Sequence, residues 1–421
     1  MPTSLGTPNA ASPQEAGDGA ARSAPKQLRV CHLAYAYYEN DNRIIRYAEA
    51  LAERGDDVDV IALRRRGQRC LDRSVGVRVF RIQRRSMTER TAWSYLPKLL
   101  WFVLQATVVV AFRHLRKRYD IVHVHNVPDF LVFAALVPKL TGARVILDIH
   151  DIVPELYAGK FGDARLPSLI RCLLRVERLA CWFADHVIVS NHLWADKLVR
   201  RSVPAWKCTT VLNYPDLRKF RPKHRRPDGR FIALYPGTLN HHQGLDIAVK
   251  AFARVKDRMP TAEFHIYGEG PARSQLAQLA REYGVSDRVV LKDRVPFDQI
   301  SDIIASADLG VVPKRDDGFG GEAFSTKTLE FMACGVPVVV ARTRVDAYYF
   351  DDSIVRFFTP GDEEDLAAAL LEMYQHRSNC GAQVSAARAF AIRNSWQERV
   401  ADYQQLIEEL VTWGRGRRNG A

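Results

Sequence analysis

Two glutamates eight residues apart, Glu322 and Glu330, with Lys327 between them, form the group in this sequence whose types and spacing best suit chemistry. They fall in the stretch VVPKRDDGFGGEAFSTKTLEFMACGVPVVV, residues 311–340. It reads as a buried strand, a glycine-punctuated acidic loop, a helix opening near Ser325, and a second buried strand. An apolar strand, a Gly-rich turn and a helix start make a phosphate cradle, because free backbone N–H groups and the helix dipole face an anion there. Carboxylates beside such a cradle suit the hydroxyls of a sugar or ribose. The combination points to a nucleotide-sugar site.

The elements that must position these residues follow from periodicity. From Leu28 on, short β-rich runs alternate with amphipathic helices: LRVCHLA, VDVIAL, VRVFRI, IVHVHN, RVILDIH and HVIVS are read as strands. Strands that are continuously apolar and separated by helices indicate a parallel, doubly wound sheet, with ligands at the carboxyl ends of its strands. Asn40 to Arg43, His125, Asn126, His150, Asp151, Glu155, Ser190 and Asn191 stand at those ends. Residues 214–230, rich in Pro, Gly and charge without a period, read as the linker. Beyond it the alternation restarts with FIALY, EFHIYG, RVVLK, LGVVP and VPVVV. The expected organisation is a leader at 1–26, a first Rossmann-like domain at 27–213, the linker at 214–230 and a second Rossmann-like domain at 231–394. A helix with a basic tail at 395–421 is expected to cross back onto the first domain.

Composition narrows the class. The 421 residues are 47% apolar, enough for a large packed core, and Lys+Arg of 61 against Asp+Glu of 48 gives +13. Nucleotide phosphates, an acidic membrane leaflet and nucleic acid are the anionic partners such a balance admits. The seven cysteines include no CxxC pair and several lie in apolar runs, as free thiols do in a reducing compartment. Residues 1–26 lack an apolar h-region, so they read as a disordered leader and the protein as cytoplasmic. Residues 96–112 are almost wholly apolar, interrupted by Lys98 and Gln105 and flanked by basic residues. They read either as a buried core helix or, in the preferred reading, as a helix partly sunk into an anionic membrane surface. At this length a spanning helix is disfavoured.

His123 and His125 alternate on a strand, so only one is expected to face the cleft. With no third ligand spaced nearby, a metal site is not expected. His241 and His242 stand beside a glycine loop and could donate to phosphate.

Several motifs together carry a family resemblance. PGTLNHHQG (236–244), YGEGP (267–271), the Glu322–Glu330 stretch, LDIHDIVPE (147–155) and NDNRIIRYAEALAERG (40–55) occur in this order. In these the chain from Leu28 resembles the retaining glycosyltransferases of family four. The resemblance implies an α/β GT-B fold, two Rossmann-like domains facing a central cleft. It implies that Glu330 accepts hydrogen bonds from the donor ribose, and that Glu322 contacts the transferred sugar and favours positive charge at its anomeric carbon. It further implies diphosphate or sugar contacts from Phe324, Ser325 and Thr326, and close nucleotide approach at Gly237, Gly268 and Gly270. The base would abut Arg294 and Val295. His150 would bind donor sugar or acceptor, the alternative being a structural histidine satisfied by Asp148 or Asp151. Asn40, Asp41, Arg43, Asn126 and Asp151 fall on the acceptor side.

The chain departs from the family where Thr238 and Gln243 replace an Arg and a Lys of the phosphate loop. Arg315 and Lys327 are the expected substitutes that neutralise the leaving group, the alternative being that they are merely solvated. With them no metal or other cofactor is expected. The implied reaction is transfer with retention, by front-side attack, from a UDP- or GDP-sugar to a polyprenyl-diphosphate-linked acceptor in glycan assembly, at the inner face of the membrane. A nucleotide-sugar epimerase on the same fold lacks the paired glutamates in this form. A basic membrane or nucleic-acid binding module is the third reading, but the dispersed basic residues show no aromatic interleaving, so nucleic acid is not an expected partner.

Overall fold

The structure is a computed structural model that describes residues 27–85, 92–161, 167–223, 228–377 and 380–416. The expected leader lies outside these residues, as does the end of the basic tail. The first sheet is built from β1 (Arg29–Ala34), β2 (Asp57–Arg64), β3 (Leu71–Ser74), β4 (Val77–Arg84), β5 (Ile121–His125), β6 (Arg144–Ile149), β7 (His186–Val189) and β8 (Cys208–Thr210). Its order is β3-β4-β2-β1-β5-β6-β7-β8, parallel except for the β3–β4 hairpin. The second sheet holds β9 (Phe231–Pro236), β10 (Ala262–Tyr267), β11 (Val289–Lys292), β12 (Leu309–Val312), β13 (Val338–Ala341) and β14 (Arg356–Phe358). Its order is β11-β10-β9-β12-β13-β14, with every pair parallel.

The central strands are continuous apolar runs because helices cover both faces of each sheet; β1, β5, β7, β12 and β13 are buried at every residue. The strands that sequence reading missed are short edge pieces. All four residues of β3 are exposed, and β8 and β14 have three residues each. Strand order reverses direction beside β1 and β5 in one sheet and beside β9 and β12 in the other, and the carboxyl ends at these switch points face a shared cleft.

The helix Trp396–Gly416 packs on the first domain. Trp396, Tyr403, Ile407, Leu410 and Val411 recur at helical spacing and join one core with Val30, Tyr47, Val60 and Ile146. Burying each such large apolar side chain contributes roughly 1.5–3 kcal/mol. The expected linker is more ordered than its composition implies. Asp216 accepts from Arg218 and Gln397, Trp396 N–H donates to the Pro215 carbonyl, and Phe220 is buried in the second domain. Residues 224–227 lie outside the described residues.

The apolar run noted above belongs to a 25-residue helix, Ala92–Arg116. Leu99, Phe102, Ala106 and Val110 pack into the first core. The opposite face is apolar too: Leu96, Leu100, Leu104, Val108 and Phe112 are each at least half exposed.

Candidate active site

A cavity of about 660 Å³ lies between the two domains. Asn40, Asp41, Arg43, Arg46, His150 and Asp151 line it from the first domain, Thr238, Phe324, Thr326 and Glu330 from the second.

The first-domain floor is organised on Asp148, a fully buried carboxylate near the end of β6. Arg43 binds it in fork geometry, Nη2 to Oδ1 at 2.7 Å and Nε to Oδ2 at 2.8 Å. His125 Nδ1 and His150 Nε2 lie 3.0 and 2.9 Å from Oδ2. Burial opposes the charged form of Asp148, but Arg43 and the histidines outweigh it and hold the carboxyl well below its usual range. Burial likewise opposes protonation of His150, yet the Asp148 carboxylate raises its pKa above the ordinary imidazole value. With Nε2 engaged, His150 Nδ1 has no hydrogen-bond partner among the described residues and lies on the cavity wall. Burial instead lowers the pKa of His32, His123 and His125 below the ordinary imidazole value.

This floor corrects three expectations. Arg43 is buried against Asp148 and the Val211 carbonyl, so its charge is already satisfied by the protein. Asn126 ties a loop, accepting from His150 N–H and donating to Asp129 and the Asp151 carbonyl, and does not line the main cavity. His123 and His125, two residues apart on one strand, share a face and stack at 4.4 Å between ring centres. A third potential metal ligand is therefore present twice over, as His32 beside the pair and as Asp148 with His150. The His125–Asp148–His150 donor atoms stand 2.9 to 3.2 Å apart, and an ion there would compete with the Arg43 guanidinium for the same carboxylate. Asp41 accepts from the backbone N–H of Arg43 and Ile44, capping the helix Asn42–Glu53, while Asn40 and Asp151 line the cavity as expected residues of that side.

The second-domain wall is the start of the helix Thr326–Ala333. Its N-cap, Ser325, makes no side-chain capping bond, and Ser325 Oγ and Thr328 Oγ1 are buried without hydrogen-bond partners among the described residues. Phe324 and Thr326 face the cavity. Lys327 lies over Gly237, where a Cβ would collide with its Cε, and its Nζ sits 5.1 Å from the Tyr235 ring centre. Burial lowers the Lys327 pKa to about 8, with Glu330 opposing that shift. Burial raises Glu330 to about 7, against the pull of Lys327 and Arg46.

Other expected donor residues are turned elsewhere. Arg315 spends its guanidinium on Asp246, at 2.5 Å, and on the His241 carbonyl, so it does not replace the missing loop cation. Asp246 opens the helix after that loop and captures the arginine first. Gln243 is buried, its Oε1 2.9 Å from the Tyr235 hydroxyl; Thr238 lines the cavity. Gly268 and Gly270, at φ +145 and +157, admit the protein's own loop: a Cβ on either would strike the Gly237 or Leu239 backbone. Arg294 is exposed, and neither it nor Val295 borders the cavity. Glu322 is 7% exposed and closes the domain interface, its carboxylate bound by Lys197 at 2.6 Å and Arg344 at 3.0 Å and its carbonyl by Asn191. It does not border the cavity in this arrangement. His241 stays outside it, as does His242, whose ring packs edge-on against Phe319.

Sequence reading missed Asp148 as the hub, Lys197 as the partner of Glu322, and Arg46. Only Arg46 had a local signal, since it follows Arg43 by three residues and so shares its helix face.

Two Rossmann-like domains facing a shared cleft define the GT-B fold. Residues 216–390 match the glycosyl transferases group 1 family, and residues 42–213 match the glycosyl transferase 4-like domain. The chain belongs to glycosyltransferase family four, whose members transfer a sugar from a nucleotide-activated donor. It is 25% identical over 259 residues to the phosphatidylinositol N-acetylglucosaminyltransferase gpi3 subunit of Schizosaccharomyces pombe, covering 61% of this chain but only 53% of that protein. In structure it resembles sucrose-phosphate synthase from Thermosynechococcus elongatus (TM-score 0.76, 19% identity, 91% of this chain and 99% of that one). It also resembles Anabaena HepE in complex with UDP-glucose (TM-score 0.68, 18% identity, 92% of this chain and all of that one).

Proposed function

We propose that the protein transfers a hexose or N-acetylhexosamine, with retention of configuration, from a UDP-sugar to a lipid-linked acceptor at an anionic membrane surface on the cytoplasmic side. The observation that carries the reading is the helix start on the second-domain wall: an N-cap without a side-chain capping bond, with Phe324, Thr326 and Glu330 on the cavity. Such groups gain most when a diphosphate and a ribose supply the missing partners. The bond from the anomeric carbon to the diphosphate oxygen breaks while the acceptor oxygen bonds on the same face. Negative charge grows on the departing diphosphate, and Lys327 with the helix N-terminus stabilises it. His150 Nδ1 points a donor or acceptor at the sugar from the opposite wall. GDP stands as the second base; the Anabaena structure in complex with UDP-glucose supports UDP.

The lipid acceptor is supported by the name of the yeast relative and by the exposed face of the helix Ala92–Arg116. Its long apolar stripe ends in Arg116, Lys117 and Arg118, which suits a bilayer bearing anionic headgroups. Titration with UDP, GDP and ADP tests the donor reading; failure of all three to bind would overturn it. Flotation with vesicles containing phosphatidylglycerol tests the membrane reading. The triple change L100E, L104E and V108E is expected to release the protein, and retention of that variant on vesicles would refute the role given to this helix.

A further inference from the structure

Arg46 is 9% exposed, lies on the cavity wall and forms no ion pair among the described residues. Its Nε donates to the Asn42 carbonyl and its Nη2 to Asn213 Oδ1, both at 3.2 Å, and the guanidinium stacks 5.6 Å from the Trp396 ring centre. Nη1 makes no hydrogen bond among the described residues, and Arg46 borders the cavity. Glu330 and Asp216 oppose the effect of burial on Arg46, but neither carboxylate is within ion-pair distance, and a guanidinium this buried is costly without an anion in contact. The neighbouring cations have theirs: Arg43 is matched by Asp148 and Arg315 by Asp246. The loop at 236–244 offers no lysine or arginine.

We infer that Arg46, reaching across from the first domain, binds the diphosphate of the nucleotide donor and supplies the cation that the glycine loop lacks. The inference rests on the nucleotide-sugar reading above. Arg46 and the uncapped helix start at Thr326 line the same cavity, so the diphosphate is held between a guanidinium and backbone N–H groups, with Glu330 left for the ribose. The two domains thereby share one ligand group, and binding it draws them together.

The test is calorimetric titration of the full chain with UDP, GDP and ADP and with the matching nucleosides. Arg46→Gln is expected to weaken the preferred nucleoside diphosphate by about 10- to 100-fold, or ~1.4–2.8 kcal/mol, and to leave nucleoside affinity unchanged. Arg46→Lys is expected to recover part of the loss. Asn213→Asp guards against a folding defect, because it keeps Arg46 and places a carboxylate on Nη2. That internal anion is expected to weaken diphosphate binding by about 3- to 10-fold. Wild-type diphosphate binding that persists unchanged in Asn213→Asp or in folded Arg46→Gln would overturn the inference and leave the donor reading intact. Failure of the wild type to bind any of the three would overturn both.

Discussion

The two walls of the cleft are polar in different ways. On the first-domain floor, Asp148 is saturated by a forked arginine and two imidazoles, so charge there is closed on itself. On the second-domain wall, the helix start at Thr326 carries no side-chain cap, while Glu330 and its neighbour Lys327 are displaced toward neutrality by burial. A satisfied network sets geometry; an unsatisfied one marks where a ligand completes the structure. The Asp148 network therefore positions His150, and binding falls to the wall and to Arg46 opposite it.

The largest expected effect separates the two on stability. Asp148→Asn strands the Arg43 guanidinium and is expected to cost ~3–5 kcal/mol in urea denaturation. Glu330→Gln is expected to cost under about 1 kcal/mol; equal losses would erase the distinction between floor and wall. Ligand binding reverses the ranking, with Glu330→Gln expected to weaken UDP by about 10-fold, as loss of a charged hydrogen bond of ~1.5 kcal/mol would. The pH dependence sharpens this further. Glu330 is more basic folded than unfolded, so its contribution to stability is complete below its ordinary pKa of 4.5 and is lost as pH rises toward about 7. Nucleotide affinity should run the other way, rising as Glu330 ionises near 7 and falling as Lys327 loses its proton above about 8. A calorimetric profile that is flat from pH 5.5 to 9.5 would exclude both groups from the site. The smallest effect is expected at the domain clasp, where Lys197→Met removes a partly exposed partner of Glu322 and should cost about 0.5–1 kcal/mol, read by thermal unfolding.

What the sequence disclosed depended on distance along the chain. Strands such as β5 and β12 announce themselves by local apolar runs, and the cradle is contiguous from Val311 to Val340, so both were legible. Pairings across the fold were not. Arg43 meets Asp148 105 positions away, and Glu322 meets Lys197 125 positions away. Arg315 looked available because its captor, Asp246, lies 69 positions upstream in another turn. A cation's role is set by which anion reaches it first, and that is a property of the fold. Gly268 and Gly270 teach the same point, since their missing side chains make room for a neighbouring loop.

The returning helix has a consequence for how the molecule is made. His123 in the centre of the first sheet takes as its partner the hydroxyl of Tyr403, 280 residues downstream. At a synthesis rate of about 5–20 residues per second, roughly 14–56 s pass between the emergence of the two. Throughout that interval Val30, Tyr47 and Ile146 lack the apolar surface that Trp396 and Ile407 will lay over them. The nascent first domain thus emerges with one face unfinished and reaches its final packing only after the second domain has been translated.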